Sequence, residues 1–133
     1  MRELEVVSHF VRWLEEEGWS CRQEVDGCDI VAERGGAILY AEAKGDTKAP
    51  GLDVDTLYGQ LLRRSSSVRE GTTLGVVVPL SARDKALRVS AEIRSRLEIV
   101  VFVVAEDGSI EEVGGSDPPA NSGRFRMTKE AKP

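Results

Sequence analysis

Three carboxylates and one lysine are the residues of this chain whose types and spacing suit catalysis. Glu42 and Lys44 stand two positions apart at the end of the segment AILYAEAK, and alternate side chains of a strand share one face. Burying ionised groups costs several kcal/mol each unless they are paired or bind a metal. The two charges therefore indicate a site or, alternatively, the point where the strand emerges into solvent.

Two further acids precede this strand. Asp29 lies early in the strand before it, and Glu3 lies in the first turn of the first predicted helix, in line with Val7 and Phe10. An acid at that helix position can instead serve only to complement the helix dipole. Whether Asp29 lies beside Glu42 depends on strand register, which the sequence does not specify. Carboxylate oxygens suit Mg²⁺ or Mn²⁺, and an adjacent lysine can orient or deprotonate the water that hydrolyses a phosphodiester.

Composition excludes most other catalytic chemistry. The chain has one histidine, so Ser-His-Asp hydrolysis, Cys-His catalysis and a histidine zinc site are poorly supported. It has no phosphate-binding GxxxxGK[ST] loop and no GxGxxG after a strand. Its two cysteines, Cys21 and Cys28, are too few for a disulfide scaffold and are predicted to be buried thiols.

The hydrophobic pattern predicts one α/β domain at residues 1–113 and a disordered tail at 114–133, rich in Gly, Pro, Ser and charge. Helices are predicted at 2–17 and 53–64, and strands at 19–25, 28–33, 37–44, 73–78 and 99–104, the last two forming a parallel crossover. Between those two strands, Ser81 is predicted to cap a third helix that buries Ile93 and Leu97 and exposes Arg94. No apolar run approaches a bilayer span, so we expect a cytoplasmic protein.

Charge is distributed unevenly along the chain. Residues 1–56 carry six basic and 13 acidic side chains, whereas residues 57–97 carry eight basic and three acidic ones. This polarity favours a basic face for a polyanion, although a solvated helix surface at 83–96 would look similar. We predict that four basic residues contact phosphate, because they belong to or follow the loop and the helix nearest the proposed site. They are Lys48, Arg63, Arg64 and Arg69.

The order of these features resembles the PD-(D/E)XK nuclease superfamily, and DGCDIVAE and YAEAKG resemble Mrr-type restriction endonucleases and archaeal Holliday-junction resolvases. The resemblance implies a restriction endonuclease-like αβββαβ core with a mixed central sheet flanked by helices. It implies that Asp29, Glu42 and the Ala43 carbonyl bind Mg²⁺ or Mn²⁺. Lys44 would act on the nucleophilic water, Glu3 or Glu5 would be the helix-one acid, and Gln60 would support the site. Cys28 stands where that family often has its proline.

The sequence therefore predicts a Mg²⁺-dependent DNA endonuclease. One alternative is a nucleic-acid-binding or adaptor module of the same fold without hydrolysis, and another is a structural subunit in which Glu42 and Lys44 form a buried ion pair. The chain is too short for separate recognition and cleavage domains, so specificity lies in DNA structure or comes from a larger specificity or helicase partner. A homodimer would supply two sites for two strands. The sequence does not distinguish DNA from RNA.

Overall fold

The structure, a computed structural model, describes residues 1–114. Its helices and strands follow one another as α1 (Glu3–Glu16), β1 (Ser20–Val25), β2 (Cys28–Arg34), β3 (Ala37–Ala43), α2 (Pro50–Leu62), β4 (Thr72–Pro79), α3 (Arg83–Ala86), α4 (Ala91–Arg96), β5 (Ile99–Val104) and β6 (Ile110–Val113). Short 3₁₀ turns occupy Ser65–Ser67 and Leu80–Ala82. The predicted tail lies outside the described residues apart from Gly114, so its disorder and the domain boundary stay predictions.

The six strands form one mixed sheet in chain order, from β1 to β6. The first three strands form an antiparallel meander, β3, β4 and β5 are parallel, and β6 returns antiparallel to β5. The two parallel connections each contain helix, as parallel neighbours require a crossover. The predicted α/β class, with a mixed central sheet flanked by helices, is confirmed.

A separate hydrophobic cluster covers each face of the sheet. On one face, α1 packs Val6, Phe10 and Leu14 against strand residues that include Leu39 and Phe102. On the other face, α2 packs its apolar side against a second set of strand residues; this cluster includes Val54, Leu57, Leu61, Leu74, Val76, Val101 and Val103. The alternation along β3 therefore sends Tyr40 and Glu42 towards the α2 face and Leu39, Ala41 and Ala43 towards the α1 face.

The predicted third helix is wrong as a continuous element. It breaks into α3 and α4, and Ser90 caps α4 by accepting a hydrogen bond from the Ile93 N–H. The break resets the helical phase, so Ile93 and Leu97 are exposed and Arg94 is buried. Arg94 donates to the carbonyls of Val89 (3.0 Å) and Gly114 (2.5 Å), which compensates its burial.

Three smaller features concern the start of α2, the role of Ser81 and the hydrophobicity of the helices. Helix α2 begins at Pro50, because proline is tolerated in the first helical turn. Ser81 is not a helix cap; its hydroxyl donates to the Asp46 carboxylate. Within residues 1–114, no helix has both the length and the hydrophobicity of a bilayer span.

Candidate metal centre and adjoining cavities

The register of the β2–β3 hairpin brings Asp29 opposite Glu42. Ile30 pairs with Ala41 and Arg34 pairs with Ala37, and the same antiparallel register continued by one residue pairs Asp29 with Glu42. Side chains directly opposite each other on antiparallel strands project from the same face of the sheet. The two carboxylates, which are 13 positions apart in the sequence, are therefore neighbours at this end of the hairpin.

Glu42 is nearly inaccessible to solvent, with 2% of its surface exposed, and Asp29 is half-buried. Burial, together with repulsion from Asp29 and a hydrogen bond shared with it, raises the pKa of Glu42 from its ordinary value of 4.5 to about 7, and a hydrogen bond from Cys28 and the charge of Arg64 oppose this shift. Among residues 1–114, no basic side chain forms a salt bridge with either carboxylate. Both carboxylates can therefore be ionised together only when a bound cation offsets their charge; otherwise one of them keeps a proton.

The backbone at the end of β3 contributes to the same position. The Ala43 N–H donates to Oδ2 of Asp29, with 2.9 Å between nitrogen and oxygen. The N–H and C=O of one strand residue point to the same neighbouring strand, so the Ala43 carbonyl points towards β2 at the level of Asp29. Two residues before Ala43, the Ala41 carbonyl accepts a hydrogen bond from the Cys28 thiol. Burial raises the pKa of this thiol to about 11.

The N-terminal end of α1 brings one acid to Asp29. Glu3 and Asp29 line one cavity of about 70 Å³, together with Val7 on the same helix. The Glu5 carboxylate instead accepts a hydrogen bond from the Arg2 N–H at 2.8 Å, which caps the helix. Of the two candidate acids on helix one, Glu3 is therefore the one whose cavity reaches Asp29.

A glycine holds this helix end against the strand that carries Glu42. A Cβ atom on Gly45 would lie 2.3 Å from the Glu3 nitrogen and 2.7 Å from the Met1 carbonyl oxygen. Asp46, the next residue, donates its N–H to the same Met1 carbonyl at 2.8 Å. Only a residue without a side chain permits this approach, so Gly45 allows the start of α1 to pack against the chain directly after β3.

On the other side of Glu42, a polar cavity opens between the β1–β2 turn and the end of α2. We call it the Glu42 cavity; its volume is about 260 Å³, and it is lined by Asp26, Gly27, Glu42, Gln60, Arg63, Arg64, Ser66 and Ser67. The structure thus brings Gln60, Arg63 and Arg64 to Glu42. Arg64 is half-buried, donates to the Asp26 carbonyl, and lies over the Tyr40 ring with 5.8 Å to the centroid.

The remaining predicted residues lie further out. Lys44 is half-buried directly after β3, and its N–H donates to the Val77 carbonyl at 3.1 Å. It lines neither cavity, and within residues 1–114 it forms no ion pair, so the alternative of a Glu42–Lys44 ion pair is wrong. Lys48 is exposed in the next loop, and the exposed Arg69 donates to the carbonyls of Ser66 and Val68.

The donor set suits a hard divalent cation such as Mg²⁺ or Mn²⁺ better than zinc or copper. Two carboxylates and one carbonyl are oxygen ligands, and Mg²⁺ commonly completes its coordination with water. No group of three or more His, Cys, Asp or Glu side chains within residues 1–114 is arranged to hold a metal. Glu3 therefore stands apart from the carboxylate pair, and the residues fit a cation held chiefly by Asp29 and Glu42.

Some residues of the site escaped the sequence analysis. The sequence indicated only a hairpin turn at Asp26 and Gly27 and only a helix end at Ser66 and Ser67. In the structure, all four residues line the Glu42 cavity. Gly45, directly after Lys44, read only as the start of a loop. A glycine that closely follows a charged strand end is the one signal that could have indicated its close contact with α1.

Comparison with known proteins supports the fold. No protein-family model matches this chain, and no curated protein matches it. Among solved structures, an XisH family protein from Nostoc punctiforme superposes with a TM-score of 0.60 at 18% identity, covering 83% of this chain and 99% of that chain. A fdxN element excision controlling factor protein from Anabaena variabilis has a TM-score of 0.60 at 21% identity, covering 83% and 98% respectively.

At these identities the likeness concerns the fold, a mixed α/β sheet flanked by helices. The whole length of both neighbours corresponds to most of this chain. Neither neighbour's name states a catalytic activity, so the evidence for function lies in the residues of the site.

Proposed function

We propose that this protein is a metal-dependent DNA endonuclease that hydrolyses phosphodiester bonds. The observation that carries the proposal is the pair of Asp29 and Glu42, two adjacent carboxylates at a desolvated position. No basic side chain within residues 1–114 forms a salt bridge with either of them, and the nearby charge of Arg64 only partly offsets the raised pKa of Glu42. Such a pair is unfavourable for the fold alone, because like charges repel and burial opposes ionisation. It is favourable when a divalent cation binds between the carboxylates.

Asp29, Glu42 and the Ala43 carbonyl are the groups that hold Mg²⁺ or Mn²⁺ in this proposal. The bound metal supplies Lewis acidity towards a phosphodiester oxygen and lowers the pKa of water. Lys44, two positions after Glu42, orients the attacking water from the end of β3. Gln60 positions the Glu42 carboxylate from α2, and Glu3 accepts hydrogen bonds from water in the cavity that it shares with Asp29.

Cationic side chains around the Glu42 cavity bind the DNA backbone. Arg63 and Arg64 line that cavity, and guanidinium groups bind phosphate oxygens through two parallel hydrogen bonds. Lys48 and Arg69 are exposed in the adjoining loops and extend this phosphate-binding surface. Because the overall charge is −5, binding depends on this local surface and not on a uniformly basic protein.

The test is a cleavage panel with plasmid, linear duplex, single-stranded, branched and RNA substrates, each with Mg²⁺, with Mn²⁺ and with EDTA. Cleavage that requires the metal and is lost in Glu42→Gln supports the proposal. Calorimetry with Mn²⁺ gives a second measurement that does not depend on turnover. If Mn²⁺ does not bind and no substrate is cleaved, the metal-dependent nuclease is refuted.

The second candidate is a nucleic-acid-binding or adaptor module of the same fold that works with a larger partner or as a homodimer. It is favoured by the absence, within residues 1–114, of a third carboxylate grouped with Asp29 and Glu42. The likeness in fold to an excision controlling factor agrees with it, since that name describes control and not cleavage. An adaptor would bind DNA equally well with EDTA and would need no divalent cation.

A further inference from the structure

A second cavity lies beside the Glu42 cavity on the same face of the sheet. We call it the Tyr40 cavity; its volume is about 130 Å³, and its wall includes Tyr40, Val31 and Ile38 from β2 and β3. Arg64 lines both cavities, as do Asp26 and Ser67. The two cavities are therefore neighbours that share these three residues.

The strand geometry sets the distance between the two cavities. Tyr40 and Glu42 are alternate residues of β3, and both project to the α2 face. Two residues of strand span about 7 Å, so the Tyr40 ring lies within one nucleotide of a phosphate bound at the carboxylate pair. A chain that crosses the Glu42 cavity thus brings a neighbouring base or sugar to the Tyr40 cavity.

The lining of the Tyr40 cavity suits a flat aromatic group. Val31 and Ile38 contribute apolar side chains to a lining that is otherwise mainly polar, and the Arg64 guanidinium lies 5.8 Å from the Tyr40 ring centroid. Nucleobases stack on aromatic rings and on guanidinium planes. A volume of 130 Å³ is well below the roughly 300 Å³ of small-molecule sites, and it admits one planar group and not a whole ligand.

The rim of this cavity offers hydrogen-bonding groups at its opening. Arg22 and Glu33 are paired at 3.4 Å across β1 and β2, and more than half of each side chain is exposed. They present a donor and an acceptor that can exchange with the edge of a base. A base inside a duplex is covered by its stacking neighbours and its pairing partner, so it enters such a cavity only when it leaves the stack.

We infer that the Tyr40 cavity binds an unpaired nucleobase adjacent to the phosphate at the carboxylate pair, and that the substrate class is single-stranded or locally opened nucleic acid. This inference rests on the proposed function and specifies its substrate. The ligand is recognised by its π face and its free edge, which single-stranded DNA and RNA share.

The test compares Tyr40→Leu with Tyr40→Phe, because leucine retains apolar volume without the ring and phenylalanine retains the ring. Fluorescence anisotropy in EDTA measures affinity for a labelled single-stranded oligodeoxynucleotide, for the same sequence as a blunt duplex, and for the corresponding RNA. We expect the wild type and Tyr40→Phe to prefer the single strand. Tyr40→Leu should lose about 10-fold in affinity for the single strand and little for the duplex.

A second measurement needs no variant. An oligonucleotide that carries the fluorescent base 2-aminopurine should be quenched when the wild-type protein binds it, since stacking quenches this base. Absence of quenching, equal wild-type affinity for single strand and duplex, or an equal loss on both substrates in a folded Tyr40→Leu variant would overturn the inference. Circular dichroism establishes that the variants are folded.

The outcomes separate this inference from the proposed function. Single-strand preference and quenching without any metal-dependent cleavage would support the Tyr40 cavity and refute the nuclease. Metal-dependent cleavage of duplex with no single-strand preference would refute the Tyr40 cavity alone. Equal binding of RNA and DNA single strands would support the cavity and count against DNA as the particular substrate.

Discussion

The Asp29 carboxylate accepts a hydrogen bond from the backbone N–H of Ala43, with 2.9 Å between the two atoms. This contact joins the start of β2 to the end of β3 and holds Asp29 beside Glu42. The pair is thus oriented before any cation binds, which favours binding by reducing the ordering that it requires.

Removing either carboxylate should abolish metal-dependent cleavage. We expect Asp29→Asn and Glu42→Gln to lower the cleavage rate at least about 100-fold, because each removes a charged metal ligand. Plasmid nicking with Mn²⁺ measures this, and circular dichroism checks the fold. Glu16→Gln is the matched control, since Glu16 is an exposed acid on α1. A full cleavage rate in Glu42→Gln would contradict the proposed metal site.

Stability should fall as the pH rises through the pKa of Glu42. Burial and Asp29 raise this pKa from 4.5 to about 7. The folded protein therefore keeps a proton that the unfolded chain has lost, and the stabilisation is complete below pH 4.5 and lost as the pH rises through about 7. The free energy of unfolding in EDTA should fall by on the order of 3 kcal/mol across this window.

Denaturant unfolding of the wild type and of Glu42→Gln at several pH values measures this effect. The difference between the two proteins isolates Glu42, because other titrating groups are common to both. Mn²⁺ added above pH 7 should raise wild-type stability by about 3 kcal/mol at 100 times its dissociation constant. The same pH dependence in both proteins would show that Glu42 is not the titrating group.

Lys44 should affect the chemical step without affecting the binding of metal. We expect Lys44→Ala to lower the cleavage rate by about 10²- to 10⁴-fold and to leave the calorimetric Mn²⁺ affinity unchanged. Lys48→Ala is the control, because Lys48 is an exposed lysine of the next loop and should weaken only DNA binding. Unchanged cleavage by Lys44→Ala would refute the role assigned to this lysine.

A methyl group at Gly45 should disturb the site through the backbone. A Cβ atom there would lie 2.3 Å from the Glu3 nitrogen, so the loop and α1 must separate, at a cost of about 1–3 kcal/mol. In Gly45→Ala, both the temperature of thermal unfolding and the cleavage rate should fall. In Gly36→Ala the new atom meets nothing within 4 Å, and little change is expected. Equal stability of the two variants would disprove the close contact.

Removing the charge of Arg63 should reduce the salt dependence of DNA binding. Each phosphate contact that is lost lowers the slope of log affinity against log salt by about one unit. We expect Arg63→Gln to weaken binding in this way for every DNA sequence, because phosphate contacts do not distinguish bases. Arg12→Gln, an exposed arginine on α1, is the control and should leave the slope unchanged.

Much of the fold was predictable from local sequence. The alternating and continuous apolar segments predicted five of the six strands, and the Asp107–Gly108 turn, where Gly108 has a φ of +90°, connects β5 to β6. The third helix was predicted wrongly, because the apolar spacing from Ala82 to Leu97 is compatible with one helix and does not reveal a break. Only the burial of Arg94 against the Val89 and Gly114 carbonyls shows which way α4 faces.

By itself, the sequence determined the residue types that bear chemistry, the α/β class and the faces of β3, because each follows from local composition and periodicity. The tertiary structure decided the register that pairs Asp29 with Glu42, the choice of Glu3 over Glu5, the contact of Gly45 with α1 and the cavity at Tyr40. These depend on atoms from segments distant in the chain, whose relative positions are set by packing and by hydrogen bonds between strands.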